Sequence, residues 1–151
     1  MPNVQLKSSN TSKECKVYVV EDHARLRRLL VAFLRQISRL QIIGQAASGE
    51  EALADPGHLE ADLVITDLSM PGMSGIELSR CLCAEKPDFL VIILTAHDEQ
   101  YLIDSAFEAG ASAFVLKDDP FVLEDVIGRL LAGEKRLVSL ANQVKLLEAI
   151  L

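Results

Sequence analysis

A chain of 151 residues, half of them hydrophobic, can bury one substantial core and is too short for two. Its formal charge of −7 argues against direct binding of nucleic acid or an anionic membrane, because both need a basic footprint. No window approaches the roughly 18 uninterrupted apolar residues of a membrane span, and the polar opening "MPNVQLKSSNTSKE" lacks the hydrophobic stretch of a signal peptide, so a cytoplasmic protein is expected.

Residues 1–14 show no period and read as a disordered tail. From Lys16 the apolar pattern switches repeatedly between short runs and helical spacing. "KVYVV" (16–20), "QIIGQA" (41–46), "DLVIT" (62–66), "LVIIL" (90–94) and "AFVLK" (113–117) predict five strands. The last three are apolar on both faces, as strands of a parallel sheet covered by helices must be. Helices are predicted over 24–39, 49–55, 75–86, 98–109 and 120–133. In the first, Leu26, Leu29, Leu30, Phe33, Leu34 and Ile37 form one stripe, with the arginines largely off it. The alternation predicts one α/β domain over 15–133, a doubly wound parallel sheet with helices on both faces. Cys15, Cys81 and Cys83 stand at no zinc-like spacing and read as free thiols. Residues 134–151 read as a linker or a C-terminal helix, with Leu140, Val144, Leu147 and Leu151 at helical spacing; such a helix needs a partner surface, on its own domain or on a second subunit.

In an open parallel sheet, ligands bind beyond the carboxyl ends of the strands. Glu21 and Asp22 follow the first strand, Asp67 the third, Thr95 the fourth, and Lys117 closes the fifth. Each alone is an ordinary strand-ending, capping or turn residue. Together they place complementary chemistry at equivalent points of a repeating topology. Two carboxylates about 4 Å apart repel by about 4 kcal/mol at an effective dielectric of 20, so such a cluster takes up a proton or a cation. Carboxylates completed by water and phosphate suit Mg²⁺, with Mn²⁺ a substitute. Asp22 and Asp67 are the direct ligands expected, Glu21 acts through water, and the Ser69 backbone carbonyl supplies a further oxygen. An ammonium and a hydroxyl beside a metal-bound carboxylate fit an incoming phosphoryl group. That assigns Asp67 as nucleophile, Lys117 as balancing charge and Thr95 as hydrogen-bond donor.

The stretches "VYVVEDHARLRRLL", "ADLVITDLSMPGMSGIEL", "VIILTAHDE" and "EAGASAFVLKDD" resemble the receiver domain of two-component response regulators, and "GASAFVLKDD" most resembles the NarL-type subfamily. The resemblance implies a flavodoxin-like strand order of 2-1-3-4-5. It implies that Asp67 accepts a phosphoryl group from a phosphohistidine on a sensor histidine kinase or phosphotransfer protein. Thr95 then moves toward the phosphate, Phe114 turns inward, and the face made of the 98–109 helix, the fifth strand and the 120–133 helix changes. That face, or the C-terminal helix, is an expected site of homodimerisation. Phe114 also fits simple core packing. Ser69 and His97 occupy positions that tune dephosphorylation in the family, and His97 reads equally as an exposed loop histidine. Asp118, not the family's usual proline, follows Lys117, which leaves the isomer of that peptide open. NarL-type regulators usually carry a DNA-binding domain after the receiver, and nothing after Gly133 is long or basic enough to be one. The rival functions are a Mg²⁺-dependent phosphatase with an aspartyl-phosphate intermediate and an unphosphorylated scaffold. The haloacid dehalogenase pattern of such phosphatases needs an acid where Ser69 stands. A nucleotide-binding loop of the GxxxxGK[ST] or GxGxxG kind is missing from the sequence.

Overall fold

The computed structural model describes residues 14–117, 120–140 and 143–146. Strand and helix alternate as β1 (Cys15–Val20), α1 (Ala24–Leu34), β2 (Leu40–Ala46), α2 (Gly49–Ala54), β3 (Leu63–Asp67), α3 (Gly75–Glu85), β4 (Leu90–Thr95), α4 (Gln100–Glu108), β5 (Ala113–Leu116) and α5 (Pro120–Leu131). A single 3₁₀ turn, Pro56–Glu60, precedes β3. Two further strands follow, β6 (Leu137–Leu140) and β7 (Gln143–Leu146), giving the order β2-β1-β3-β4-β5-β6-β7. The five expected strands therefore stand in the expected order and pair in parallel.

The alternation of side chains along each strand builds two cores. Tyr18, Val20, Val64, Val91, Ile93 and Phe114 pack on the side of α2, α3 and α4, with Leu78, Leu82, Ile103 and Phe107. Val17, Val19, Ile65, Ile92, Leu94 and Val115 pack on the other side against Val31 and Leu34 of α1 and Val126, Ile127 and Leu130 of α5. Every residue of β3 is buried, which is what a central strand covered on both faces requires.

The C-terminal helix expected within 137–151 is not what forms. Leu137, Val138 and Ser139 are consecutive and all buried, a pattern that one face of a helix cannot give and a covered strand does. The deciding partner is the open edge of β5, which offers unpaired backbone groups: Phe114 is in register with Val138, and β7 then pairs antiparallel with β6. Pairing of subunits through that helix has no helix among the described residues to carry it. Residues 1–13 and 147–151, and the Lys117–Asp118 peptide, lie outside the described residues, and with them the expected tail and the question of that isomer.

Helix boundaries also move. The first helix ends at Leu34, where the Arg35 and Gln36 amides turn back to Val31 and Phe33, rather than continuing to residue 39. Its apolar stripe is only partly covered, since Leu26 is 45% and Leu29 59% exposed. The fourth helix starts at Gln100, two residues later than expected. No helix among the described residues is long and apolar enough to cross a membrane.

Candidate functional site

Parallel pairing brings the strand ends to one rim, and the loops that leave them carry the polar side chains. Glu21 follows β1 and is 2% exposed; Asp67 ends β3 and is 8% exposed; Thr95 ends β4 and is 1% exposed. Glu21, Asp22 and Asp67 each offer an oxygen within 4.8 Å of the others. Lys117, reached by a backbone bond from its own N–H to the Thr95 carbonyl (2.8 Å), sends its ammonium between them. Its Nζ lies 3.0 Å from Glu21 Oε1 and 3.2 Å from Asp67 Oδ1. Burial of this ammonium opposes its charge, yet the hydrogen bond and Coulomb attraction of Glu21 and Asp67 prevail and raise its pKa above the usual lysine value.

Three carboxylates thus face one cation. The shortfall falls on Asp22, whose Oδ1 is buried with no hydrogen-bond partner among the described residues. A buried carboxylate oxygen without a partner is costly. The donor set is oxygen only, and its charge excess is negative, so it fits a hard divalent cation such as Mg²⁺. The other acids are oriented by backbone donors: Leu68 N–H to Asp67 Oδ1 at 2.9 Å, and His23 N–H to Glu21 Oε2 at 3.1 Å.

Thr95 Oγ1 accepts the His97 N–H at 2.9 Å, which leaves its hydroxyl proton to donate. His97 itself is on the surface, 3.7 Å from Glu99 Oε2, and shares an open groove with Ser69, Met70 and Tyr101. Ser69 is exposed, next to the acidic group in the chain. Phe114 is fully buried in the core on the α4 side, one strand position from Val115 on the opposite face. The rim gathers Glu21, Asp22, Asp67, Thr95 and Lys117; Ser69 and His97 flank it, and Phe114 lies beneath it.

Residues that sequence reasoning passed over hold this arrangement. The Asp67 carbonyl accepts the Thr66 hydroxyl at 2.9 Å, and Gly75, the first residue of α3, presses against that carbonyl. A Cβ at position 75 would overlap the Asp67 oxygen, so only glycine fits. Gly75 N–H also donates to the Leu68 carbonyl at 2.8 Å. The clue lay in "SGIE", where Ser74 and Glu77 form a reciprocal capping box that fixes the start of α3. Arg27 of α1 donates from Nη1 to the Glu21 carbonyl at 2.7 Å and from Nε to Gln45 of β2. Among several arginines of one helix, no spacing rule singles it out.

Residues 17–128 match the response regulator receiver domain family. The chain is 37% identical over 102 residues to the response regulator GacA of Pseudomonas syringae pv. syringae, covering 68% of this chain and 48% of that protein. It is 33% identical over 125 residues to the transcriptional regulatory protein LiaR of Bacillus subtilis, covering 82% and 59%. The chain thus spans about half the length of the curated relatives it matches. Among solved structures, a two-component response regulator of the LuxR family from Aurantimonas superposes with a TM-score of 0.77 at 28% identity, covering 85% of this chain and 91% of that one. With the fold, the acidic rim and these similarities in agreement, the chain belongs to the response regulator receiver domain family.

Proposed function

We propose that the protein is a phosphorylation-driven signalling switch in which Asp67 accepts a phosphoryl group from a phosphohistidine of a sensor histidine kinase or phosphotransfer protein. An Asp67 carboxylate oxygen attacks phosphorus as the P–N bond breaks, and the bonding pair leaves with the donor imidazole. The observation that carries this reading is the buried Asp67 beside Lys117 at 3.2 Å, within an acidic group whose Asp22 Oδ1 lacks a partner.

Asp22 and Asp67 would hold Mg²⁺ directly, Glu21 through water, with the Ser69 backbone oxygen completing the protein's share. The ion, when bound, neutralises charge on the transferred oxygens. Lys117 donates to the phosphoryl group after releasing part of its hold on Glu21 and Asp67, and Thr95 donates its hydroxyl proton. Ser69 and His97 stand where they can set the access of hydrolytic water. The chemistry of the chain is then limited to its own phosphorylation and dephosphorylation, within a receiver unit spanning 15–133.

The output surface is α4, β5 and α5 with Phe114 beneath it. Because β6 pairs along β5, that surface includes the β6–β7 hairpin and not a bare β5 edge. Relatives named as transcriptional regulators support transcription control as the output of the whole protein. The test is incubation with acetyl phosphate and Mg²⁺ followed by intact mass. One alkali-labile phosphoryl group is expected on the native chain and none on Asp67→Asn; an adduct that survives this substitution, or multiple turnover of phosphomonoesters, would overturn the reading.

A further inference from the structure

The turn that joins Asp67 to α3 is secured at its ends by Leu68 and Gly75, but its tip is held from another element. Glu50, in the first turn of α2, accepts the Met73 N–H on Oε2 at 2.9 Å. The approach is close enough to need glycine beside it: Gly72 has φ 78°, and a Cβ there would stand 2.6 Å from Glu50 Oε2. Gly49 repeats the relation from the α2 side, since its missing Cβ leaves the space filled by the Met73 sulfur. Among the described residues, no other hydrogen bond ties residues 69–73 to the rest of the protein. Met70 and Met73 pack their side chains against the core, and on its opposite flank the turn lines the open groove shared with His97 and Tyr101.

We propose that Glu50 is a positioning residue for the acidic site, holding from α2 the turn that carries Ser69 and so fixing the segment that completes the cation's oxygen shell. This rests on the reading of Asp67 as a Mg²⁺-dependent phosphoacceptor. Glu50 touches neither the carboxylates nor the incoming phosphoryl group, and acts only through the Met73 amide. Partners that orient a metal-binding segment in this way change metal affinity by roughly 10- to 100-fold when removed, and the lower end is expected for a backbone oxygen that is one ligand among several.

The experiment titrates Mg²⁺ into the full chain without phosphodonor, by calorimetry and by amide chemical shifts, for native protein, Glu50→Ala and Glu50→Gln. Glu50→Ala should weaken Mg²⁺ about tenfold and speed hydrogen exchange at the Met73 amide. Glu50→Gln, which keeps an acceptor oxygen, should restore most of both. Acetyl phosphate labelling of Glu50→Ala should fall at limiting Mg²⁺ and recover at saturation. Gly72→Ala breaks the same contact from the other side and should reproduce the Mg²⁺ shift, so the proposal stays testable if Glu50→Ala does not fold. A lower melting temperature with an unmoved Mg²⁺ midpoint would overturn the proposal and assign Glu50 a structural role. Failure of the native chain to bind Mg²⁺ or be labelled at Asp67 would instead overturn the functional reading itself.

Discussion

The domain has two polar clusters, one at each end of the sheet, each built around a buried side chain, and they are built on opposite principles. At the carboxyl rim, Glu21, Asp22 and Asp67 share one ammonium, and Asp22 Oδ1 has no partner. At the other end, where α2 and α3 finish and β3 begins, every described group has one. The Tyr18 hydroxyl donates to Asp55 Oδ2 at 2.7 Å, and Asp55 Oδ1 caps the 3₁₀ turn by accepting the Gly57 N–H. His58, 2% exposed, bonds the Asp55 carbonyl through Nδ1 and Glu85 through Nε2, both at 2.7 Å, and stacks on Phe89. Lys86 then donates to the carbonyls of Leu59 and Ala61. A satisfied network stabilises and specifies a fold, whereas an unbalanced one costs stability unless a ligand completes it. Burial alone does not separate structure from function here; charge balance does.

The largest expected effect is that of Gly75→Ala, which would turn the rim's precision against it. The new Cβ must displace the Asp67 carbonyl or the start of α3. Phosphoryl labelling should be nearly lost and stability should fall by about 3 kcal/mol, read by mass spectrometry and urea unfolding; native-like labelling would show that the tight fit is not needed.

Asp22→Asn and Asp55→Ala should separate the clusters directly. Without Mg²⁺, Asp22→Asn removes one charge from a repelling group and should stabilise the protein by about 1 kcal/mol, while abolishing the rise in melting temperature expected when Mg²⁺ is added to the native chain. Asp55→Ala should leave the Mg²⁺ response intact and lower the melting temperature, because it leaves the buried Tyr18 hydroxyl unpaired. If both variants shift stability in the same direction, the contrast fails.

A smaller effect follows from His58. Burial pulls its pKa down, but the Asp55 carbonyl and the Glu85 carboxylate more than reverse this, so its folded pKa lies above 6.5. A raised pKa means that the folded state binds the proton more tightly. The contribution is therefore complete at pH below the unfolded value and is lost as pH rises through the folded one. Native protein should lose melting temperature as pH rises above the unfolded histidine value of about 6.5, and His58→Phe should flatten that slope without altering the Mg²⁺ dependence.

The smallest effect tests whether an unpaired polar atom by itself implies function. The Ser139 hydroxyl of β6 is also buried without a partner among the described residues, yet it carries no charge and is not a member of the acidic group. Ser139→Ala should be neutral or stabilise by up to about 1 kcal/mol, with labelling and Mg²⁺ affinity unchanged. A change in either would tie the hairpin to the rim.

How much of this was legible before folding follows from the range of the interactions involved. The strands through β5 and the residues at their ends were readable because two-sided apolar runs and the polar residues that close them are local signals. The stripe of α1 was readable as a period, but not that Leu26 and Leu29 stay exposed, since that depends on which elements pack against the helix. Residues 137–146 misled because their apolar spacing also suits a helix, and the free edge of β5 that captures them is distant in sequence.

The sequence by itself determined the alternating α/β order, the apolar centre of the sheet and the identity of the groups at the rim, because these are written in neighbouring residues. Only the tertiary structure decided that Lys117 reaches both Glu21 and Asp67, that Asp22 Oδ1 is left without a partner, that Gly75 and Glu50 brace the turn after Asp67, and that the C-terminal segment extends the sheet. Each of those depends on contacts between residues far apart in the chain, whose energies exist only once the strands are in register.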